Sequence, residues 1–265
     1  MNAYIFDVDG VITDPVEKKI TKPKLVEIIA SMLEQNVPVA FISGRGMEWL
    51  RAQVITVIEA YIDNHPEMDK NMLDNLYVSG EFSGVYALHG DGKREVSYNS
   101  AFTIPGELRT KLNTLAEKFK NIGFVEHEKQ TQFTIEAKKG KDYFKDGGDT
   151  IVEAIRKEIL DYPDLTASYD RIGMNVKHKD ANKRYAIKHY LAWLDNKKVV
   201  PDKIIVFGDS PSDLEMGDEL FAQKKQFEFV FVGDKNDLKE QSNFPVTITQ
   251  GHCDAGTLEY LHAKM

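Results

Sequence analysis

Cysteine is nearly missing from this chain: Cys253 is the only one in 265 residues. A single thiol closes no internal disulfide, and it excludes both a cysteine-rich zinc site and a CxxC redox pair. Long apolar runs are missing as well, the longest falling well short of the roughly 18 residues needed to span a bilayer. The first residues lack the basic-then-apolar order of a secretory leader, so a cytoplasmic location without a membrane partner is expected. Basic charge is not in excess either: 34 Lys and Arg stand against 42 Asp and Glu, for a formal net charge of -8, and the basic residues are scattered. Such a surface repels a phosphate backbone, which excludes nucleic-acid binding by bulk electrostatics and leaves a small molecule as the expected partner, with no obligate protein partner inferred.

What is present is ordinary for a globular protein, with 42% hydrophobic and 29% charged residues and length enough for one large domain or two modest ones. The apolar run Tyr4-Ile5-Phe6 reads as a buried strand. Leu25, Ile28, Ile29, Met32 and Leu33 recur at helical spacing, Val37 to Ile42 reads as a second strand, and Met47 to about Tyr61 as a second helix. A third short strand follows at Leu76 to Ser79. Strand, helix, strand, helix implies a parallel sheet whose ligands gather at the carboxyl ends of its strands.

Between about residues 81 and 180 the texture changes. Val85 to His89 and Glu95 to Asn99 flank the turn signal Gly90-Asp91-Gly92. Leu108, Leu112, Leu115, Ala116 and Phe119 make one helix face, and Ile151, Val152, Ile155 and Ile159 another. Phe133, Ile135 and Ala137 alternate as a half-buried strand does, as do Ile172, Met174 and Val176. This predicts an inserted α+β module with an antiparallel sheet. Afterwards the first pattern resumes, with a helix at Tyr185 to Leu194, strands at Lys203 to Phe207, Phe229 to Val232 and Val246 to Thr249, and a closing helix at Asp254 to His262. The expected fold class is therefore α/β, a Rossmann-like core of residues 1-80 and 181-265 interrupted by a module of residues 81-180.

The stretch Phe6-Asp7-Val8-Asp9-Gly10 carries the chemistry. Two acids at a strand end are costly unless paired, and they repel each other, so a cation is their natural third party. Ser43 at the end of the second strand, Lys183 near a helix start, and Gly208-Asp209 followed by Asp213 complete a dispersed set. In this order and strand-end context, the set resembles the motifs of the haloacid dehalogenase superfamily of phosphohydrolases. The inserted module lies where that family carries its C2-type caps. Phe41-Ile42-Ser43-Gly44-Arg45 and the segment Gly251 to Leu261 are also similar to the sugar-phosphate phosphatases of that group.

The resemblance implies Asp7 as nucleophile, Asp9 as general acid and base, and Ser43 and Lys183 as supports of the phosphoryl group. It implies Mg²⁺ as cofactor, held by the side chains of Asp7 and Asp209, the Asp9 carbonyl and Asp213. Oxygen-only donors suit this hard cation. The substrate implied is a small phosphorylated metabolite, with a phosphomutase or a non-catalytic metabolite-binding regulator as the alternatives.

Other residues are open to two readings. Arg45 either pairs with Asp209, reaches substrate together with Gly44, or forms an ordinary surface ion pair. Glu81 stands where related sequences often place a polar group near the cleft. Lys177 and Lys179 belong to a charged run that either contacts substrate or is simply solvated. His127, Lys129 and Gln132 are candidates for sugar hydroxyls or ordinary loop residues. His252-Cys253-Asp254 reads as a loop before the last helix with Asp254 as its cap, and Cys253 is given no catalytic role.

Overall fold

The computed structural model describes residues 1-90, 93-138, 148-169, 173-238 and 242-264. In chain order these form β1 (Asn2–Asp7), α1 (Pro23–Glu34), β2 (Val39–Ile42), α2 (Met47–Leu50), α3 (Thr56–Asp63), β3 (Leu76–Gly80), β4 (Val85–Gly90) and β5 (Lys93–Tyr98). There follow α4 (Gly106–Ala116), β6 (Gly123–Val125), β7 (Gln132–Ala137), α5 (Gly148–Glu158), β8 (Leu165–Tyr169) and β9 (Gly173–His178). The chain closes with α6 (Lys183–Asn196), β10 (Lys203–Gly208), α7 (Leu214–Ala222), β11 (Phe227–Phe231), β12 (Val246–Ile248) and α8 (Cys253–Lys264). A π-helical turn, Arg51–Ile55, joins α2 to α3.

The chain divides into two compact units, Met1–Ser97 with Asn182–Met265, and Tyr98–Ala181. The first is a Rossmann-like α/β layer structure around an eight-stranded sheet of order β12-β11-β10-β1-β2-β3-β4-β5. β1 lies between β10 and β2 and is parallel to both, with Phe6 opposite Phe207 and Phe41. Buried on both faces, β1 alternates allegiance: Tyr4 and Phe6 join one apolar cluster with Leu25, Ile29, Ile58 and Tyr260, while Ala3 and Ile5 join another with Ile187, Leu191 and Phe229. This is why the parallel strands read as continuous apolar runs. The Phe6 and Phe207 rings stack at 4.7 Å in the middle of the first cluster.

The second unit is a four-stranded sheet, β6-β7-β9-β8, with antiparallel pairing throughout. Phe133 faces Val176 and Ile135 faces Met174 across β7 and β9. These four pack with Leu108, Leu112, Ile151 and Ile155 of α4 and α5 into a separate core.

Two local expectations change. The strands β4 and β5 extend the large sheet, β4 running antiparallel to β3, so the second unit begins at Tyr98 instead of residue 81. An alternating pattern reports a half-exposed strand at a sheet edge, whichever sheet owns the edge. β6 and β8 are additional strands, too short or too polar to show a period. Asp91, Gly92 and Ile172 lie outside the described residues. Among those described, no helix is long and apolar enough to cross a membrane.

Candidate active site

The ends of β1, β2 and β10 and the start of α6 bring the charged residues together. After Asp7 the chain turns sharply, and the Val8 carbonyl accepts from the Ile12 and Thr13 amides at 3.2 Å and from Thr13 Oγ1 at 3.0 Å. The Thr257 hydroxyl of α8 donates to the Val11 carbonyl at 2.7 Å and pins the same loop. The turn requires Gly10: its φ is +73°, and a Cβ there would lie 2.3 Å from Asp209 Oδ2.

Lys183 is the first residue of α6, whose N-cap Asn182 accepts from the Tyr185 amide at 2.9 Å. Its side chain is 6% exposed, far from the solvated surface lysine that a single charged residue usually is. Nζ donates to Asp7 Oδ1 at 2.7 Å and to Asp213 Oδ1. Asp213 is fully buried, and its other oxygen accepts from the Asp209 amide at 3.0 Å, the Ser210 amide at 2.9 Å and Ser210 Oγ at 2.8 Å. Asp213 therefore holds both the ammonium and the loop that carries Asp209.

Burial would lower the Lys183 pKa, but Asp213 and Asp7 outweigh it and hold the ammonium above the usual lysine range. Asp7 is pushed well up, first by burial and then by Asp213, Asp209 and Asp9, against the opposing pull of Lys183. Asp209 is pushed up to about 7, again by burial first and Asp213 next. One lysine among several carboxylates leaves negative charge uncompensated, which is the environment a cation relieves. Asp7, Asp209 and Asp213 each present an oxygen within 4.8 Å of the others, a hard donor set that fits Mg²⁺ and offers no nitrogen or sulfur to zinc.

The Asp9 carboxylate is not part of this trio and is held by Arg45. Arg45 Nε donates to its two oxygens at 3.2 and 3.0 Å, Arg45 Nη2 donates to Oδ1 at 2.9 Å, and Lys18 Nζ lies 3.9 Å away. Arg45 thus pairs with Asp9, its guanidinium lying 4.9 Å over the Trp49 ring. Ser43 is buried, and it is not a helix cap, since Gly46 precedes α2. Its Oγ instead accepts the Arg45 amide at 3.1 Å, leaving the hydroxyl proton to be given elsewhere. Gly44 lies under the Phe82 ring, where a Cβ would meet that ring at 2.6 Å.

The remaining candidates separate by environment. Glu81 is buried, and its amide donates to the Arg45 carbonyl at 2.9 Å. In the second unit Lys177 donates to the Ala181 carbonyl, and Lys179 forms an exposed pair with Asp164 at 2.7 Å. Lys129 is buried, 2.6 Å from Glu126 and 3.2 Å from Thr134 Oγ1, and Thr134 in turn donates to Asn175 Oδ1 at 2.8 Å. Gln132 is buried beside them in sequence, whereas His127 is exposed. Cys253 opens α8, so Asp254 sits inside the first helical turn and not at its cap. Burial, then Asp209 and Asp254, push the Cys253 thiol up, away from the reactive thiolate.

Thr13, Lys18, Asn182 and Thr257 escape a sequence reading. Of these only Asn182, three residues before the amide it caps, carries a local signal.

No curated protein matches the chain in sequence. Among solved structures, the chain is similar to the C-terminal domain of Candida albicans trehalose-6-phosphate phosphatase, at 15% identity and TM-score 0.71 over 99% of this chain and 91% of that one. The Aspergillus fumigatus trehalose-6-phosphate phosphatase is similar at 15% identity and TM-score 0.58, over 99% and 91%. Plasmodium falciparum IMP-nucleotidase follows at 15% identity and TM-score 0.56, over 86% of this chain and 58% of that one. These likenesses concern the fold. Residues 4–218 match the model of the haloacid dehalogenase-like hydrolases, and with its sheet order and its Asp7, Lys183, Asp209 and Asp213 cluster the chain belongs to that family.

Proposed function

We propose that the chain is a Mg²⁺-dependent phosphatase that hydrolyses a small phosphorylated metabolite, a sugar phosphate, through a phosphoryl intermediate on Asp7. The observation that carries this reading is the buried Lys183 ammonium bonded to Asp7 and Asp213, with Asp209 alongside. A nucleophilic carboxylate needs to be ionised and held still; Lys183 holds Asp7 in place and pulls it towards the ionised form against the opposing effect of burial. When bound, the cation supplies the remaining positive charge and polarises the phosphoryl oxygens.

Asp7 Oδ attacks phosphorus as the ester bond to the leaving oxygen breaks, and a proton from Asp9 neutralises the departing alkoxide. Asp9 then takes a proton from water, whose oxygen attacks the phosphorus of the aspartyl-phosphate, releasing inorganic phosphate and restoring Asp7. Ser43 Oγ donates to a non-bridging oxygen, and Lys183 balances the charge that develops there. In the resting arrangement Asp9 accepts three hydrogen bonds from Arg45, so proton transfer requires that fork to open. An incoming phosphoryl group offers the guanidinium an alternative acceptor.

Support for a polyhydroxylated leaving group comes from the second unit, whose Glu126, Lys129, Gln132, Thr134 and Asn175 are donors and acceptors of the kind hydroxyls require. Tyr98–Ala181 would then serve as the specificity-determining cap. The test is release of inorganic phosphate from a panel of sugar phosphates and nucleoside monophosphates with Mg²⁺. Turnover abolished by EDTA and restored by Mg²⁺ is expected. Activity that survives EDTA, or isomerised sugar phosphate with little free phosphate, would refute this reading.

A further inference from the structure

The segment after β3 has an unusual backbone. Glu81, Phe82 and Ser83 have φ values of 51°, 51° and 78°, three successive left-handed residues of which none is glycine or asparagine. Side chains with a Cβ disfavour this region, so such a run persists only where its surroundings hold it.

Those surroundings are the motif residues. The Phe82 amide donates to the Ser43 carbonyl at 3.1 Å and the Glu81 amide to the Arg45 carbonyl at 2.9 Å, so the turn grips both ends of Ser43-Gly44-Arg45. Between those two bonds the Phe82 ring covers Gly44 closely enough to exclude any side chain there. On the other side, buried Ser83 directs its hydroxyl towards the Phe82 carbonyl and, at 3.4 Å, towards the carbonyl of Asn182. Asn182 is the N-cap of α6, and Lys183 is the next residue. One short turn thus touches the loop that aims Ser43 and Arg45 and the cap that aims Lys183.

We propose that the left-handed turn Glu81–Ser83 is a brace that fixes the distance between the Ser43–Arg45 loop and Lys183, with Phe82 as its positioning residue. The role in catalysis rests on the phosphatase reading above; the bracing itself does not. Glycine at these positions would relieve the backbone, yet the chain keeps Phe82, whose ring does what glycine cannot.

The experiment compares Phe82→Gly, Phe82→Leu and Ser83→Gly with the unaltered protein. Phe82→Gly frees the backbone and removes the ring. A displacement of the loop by about 1 Å costs up to about 100-fold in rate, so kcat per folded molecule is expected to fall about 10- to 100-fold, with KM changed less. Phe82→Leu, which refills the space over Gly44, is expected to recover most of that loss. Ser83→Gly keeps the left-handed backbone without the hydroxyl and should lose less than Phe82→Gly. An unchanged kcat in Phe82→Gly, or a Phe82→Leu as impaired as Phe82→Gly, would overturn the positioning role.

Hydrogen exchange reads the brace without any turnover. Amides of Ser43, Arg45, Glu81 and Phe82 are each hydrogen-bonded, and in Phe82→Gly peptides covering 43-46 and 79-84 should exchange at least about tenfold faster. Unchanged exchange would reject the brace. Faster exchange in a protein that hydrolyses none of the phosphate esters would uphold the brace and reject the phosphatase reading.

Discussion

The two units place their buried charges differently. In the first, Asp7, Lys183, Asp209 and Asp213 stand at the ends of parallel strands and the start of a helix, where the backbone itself fixes them. In the second, Glu126 and Lys129 pair within a turn between β6 and β7, and Thr134 and Asn175 project from neighbouring antiparallel strands. A strand-end site is shared by chemistry that does not depend on the leaving group, whereas a polar sheet face can be rewritten one residue at a time. The difference suggests that damage to the first unit should affect all substrates alike, and damage to the second should affect them unequally.

The largest expected effect is that of Asp7→Asn, which removes the nucleophile and should lower turnover of a sugar phosphate and of an aryl phosphate by about 10⁴-fold or more. Phosphate-release assays on both esters check this. Equal residual rates in the variant and the unaltered protein would remove Asp7 from the mechanism. Gly10→Ala comes next. Its Cβ would press on Asp209 Oδ2 at 2.3 Å while the backbone stays at φ +73°, and about a 100-fold loss on both esters is expected.

Lys129→Met should be smaller and, unlike the first two, selective. The ratio of kcat/KM for the sugar phosphate to that for the aryl phosphate should drop about tenfold, the worth of one misplaced polar contact. A parallel fall on both esters would erase the proposed division of labour. Some stability is lost as well, because Glu126 is left buried without its partner, at a cost of about 3 kcal/mol or more.

The smallest effect concerns only pH. Burial lowers the His189 pKa below its ordinary 6.5, with the ring stacked 3.7 Å from Tyr86 and Nδ1 3.0 Å from the Tyr77 hydroxyl. In the window below 6.5 the unfolded chain binds more protons at this residue than the folded one. Stability is therefore full above about 6.5 and declines as the pH falls towards the depressed value. In His189→Phe, thermal midpoints between pH 7 and 5 should fall less steeply; an identical slope would exclude His189 as a contributor.

Much of the first unit was legible because a parallel strand announces itself as an unbroken apolar run, and because such a sheet gathers function at its strand ends. Asp7, Ser43 and Asp209 could be placed on that ground alone. What Arg45 does could not. Asp9 and Asp209 are both acids within the same set of loops, and only side-chain geometry decides that the guanidinium forks onto Asp9. The ownership of β4 and β5 was hidden for a related reason, since alternation records exposure and not the identity of the neighbouring sheet. The left-handed turn Glu81–Ser83 left no trace, as none of its residues is glycine, asparagine or aspartate, the types that tolerate a positive φ. In the second unit the helix faces were plain, but β6 has three residues and β8, Leu165–Tyr169, mixes threonine and serine into its run.

The π-helical turn between α2 and α3 bears on how this fold tolerates changes in length. Arg51–Ile55 closes a wider ring than an α-helical turn, so it accommodates one residue beyond what a regular helix would hold between buried Leu50 and buried Ile58. Deleting a single residue from a core helix ordinarily rotates everything beyond it by about 100° and turns its apolar stripe to water. Deletion within residues 51-53, ahead of the buried Val54 and Ile55, would instead let the turn tighten into α-helix, with the flanking stripes still facing the sheet, and makes this the stretch of the helix where shortening the chain need not cost the core.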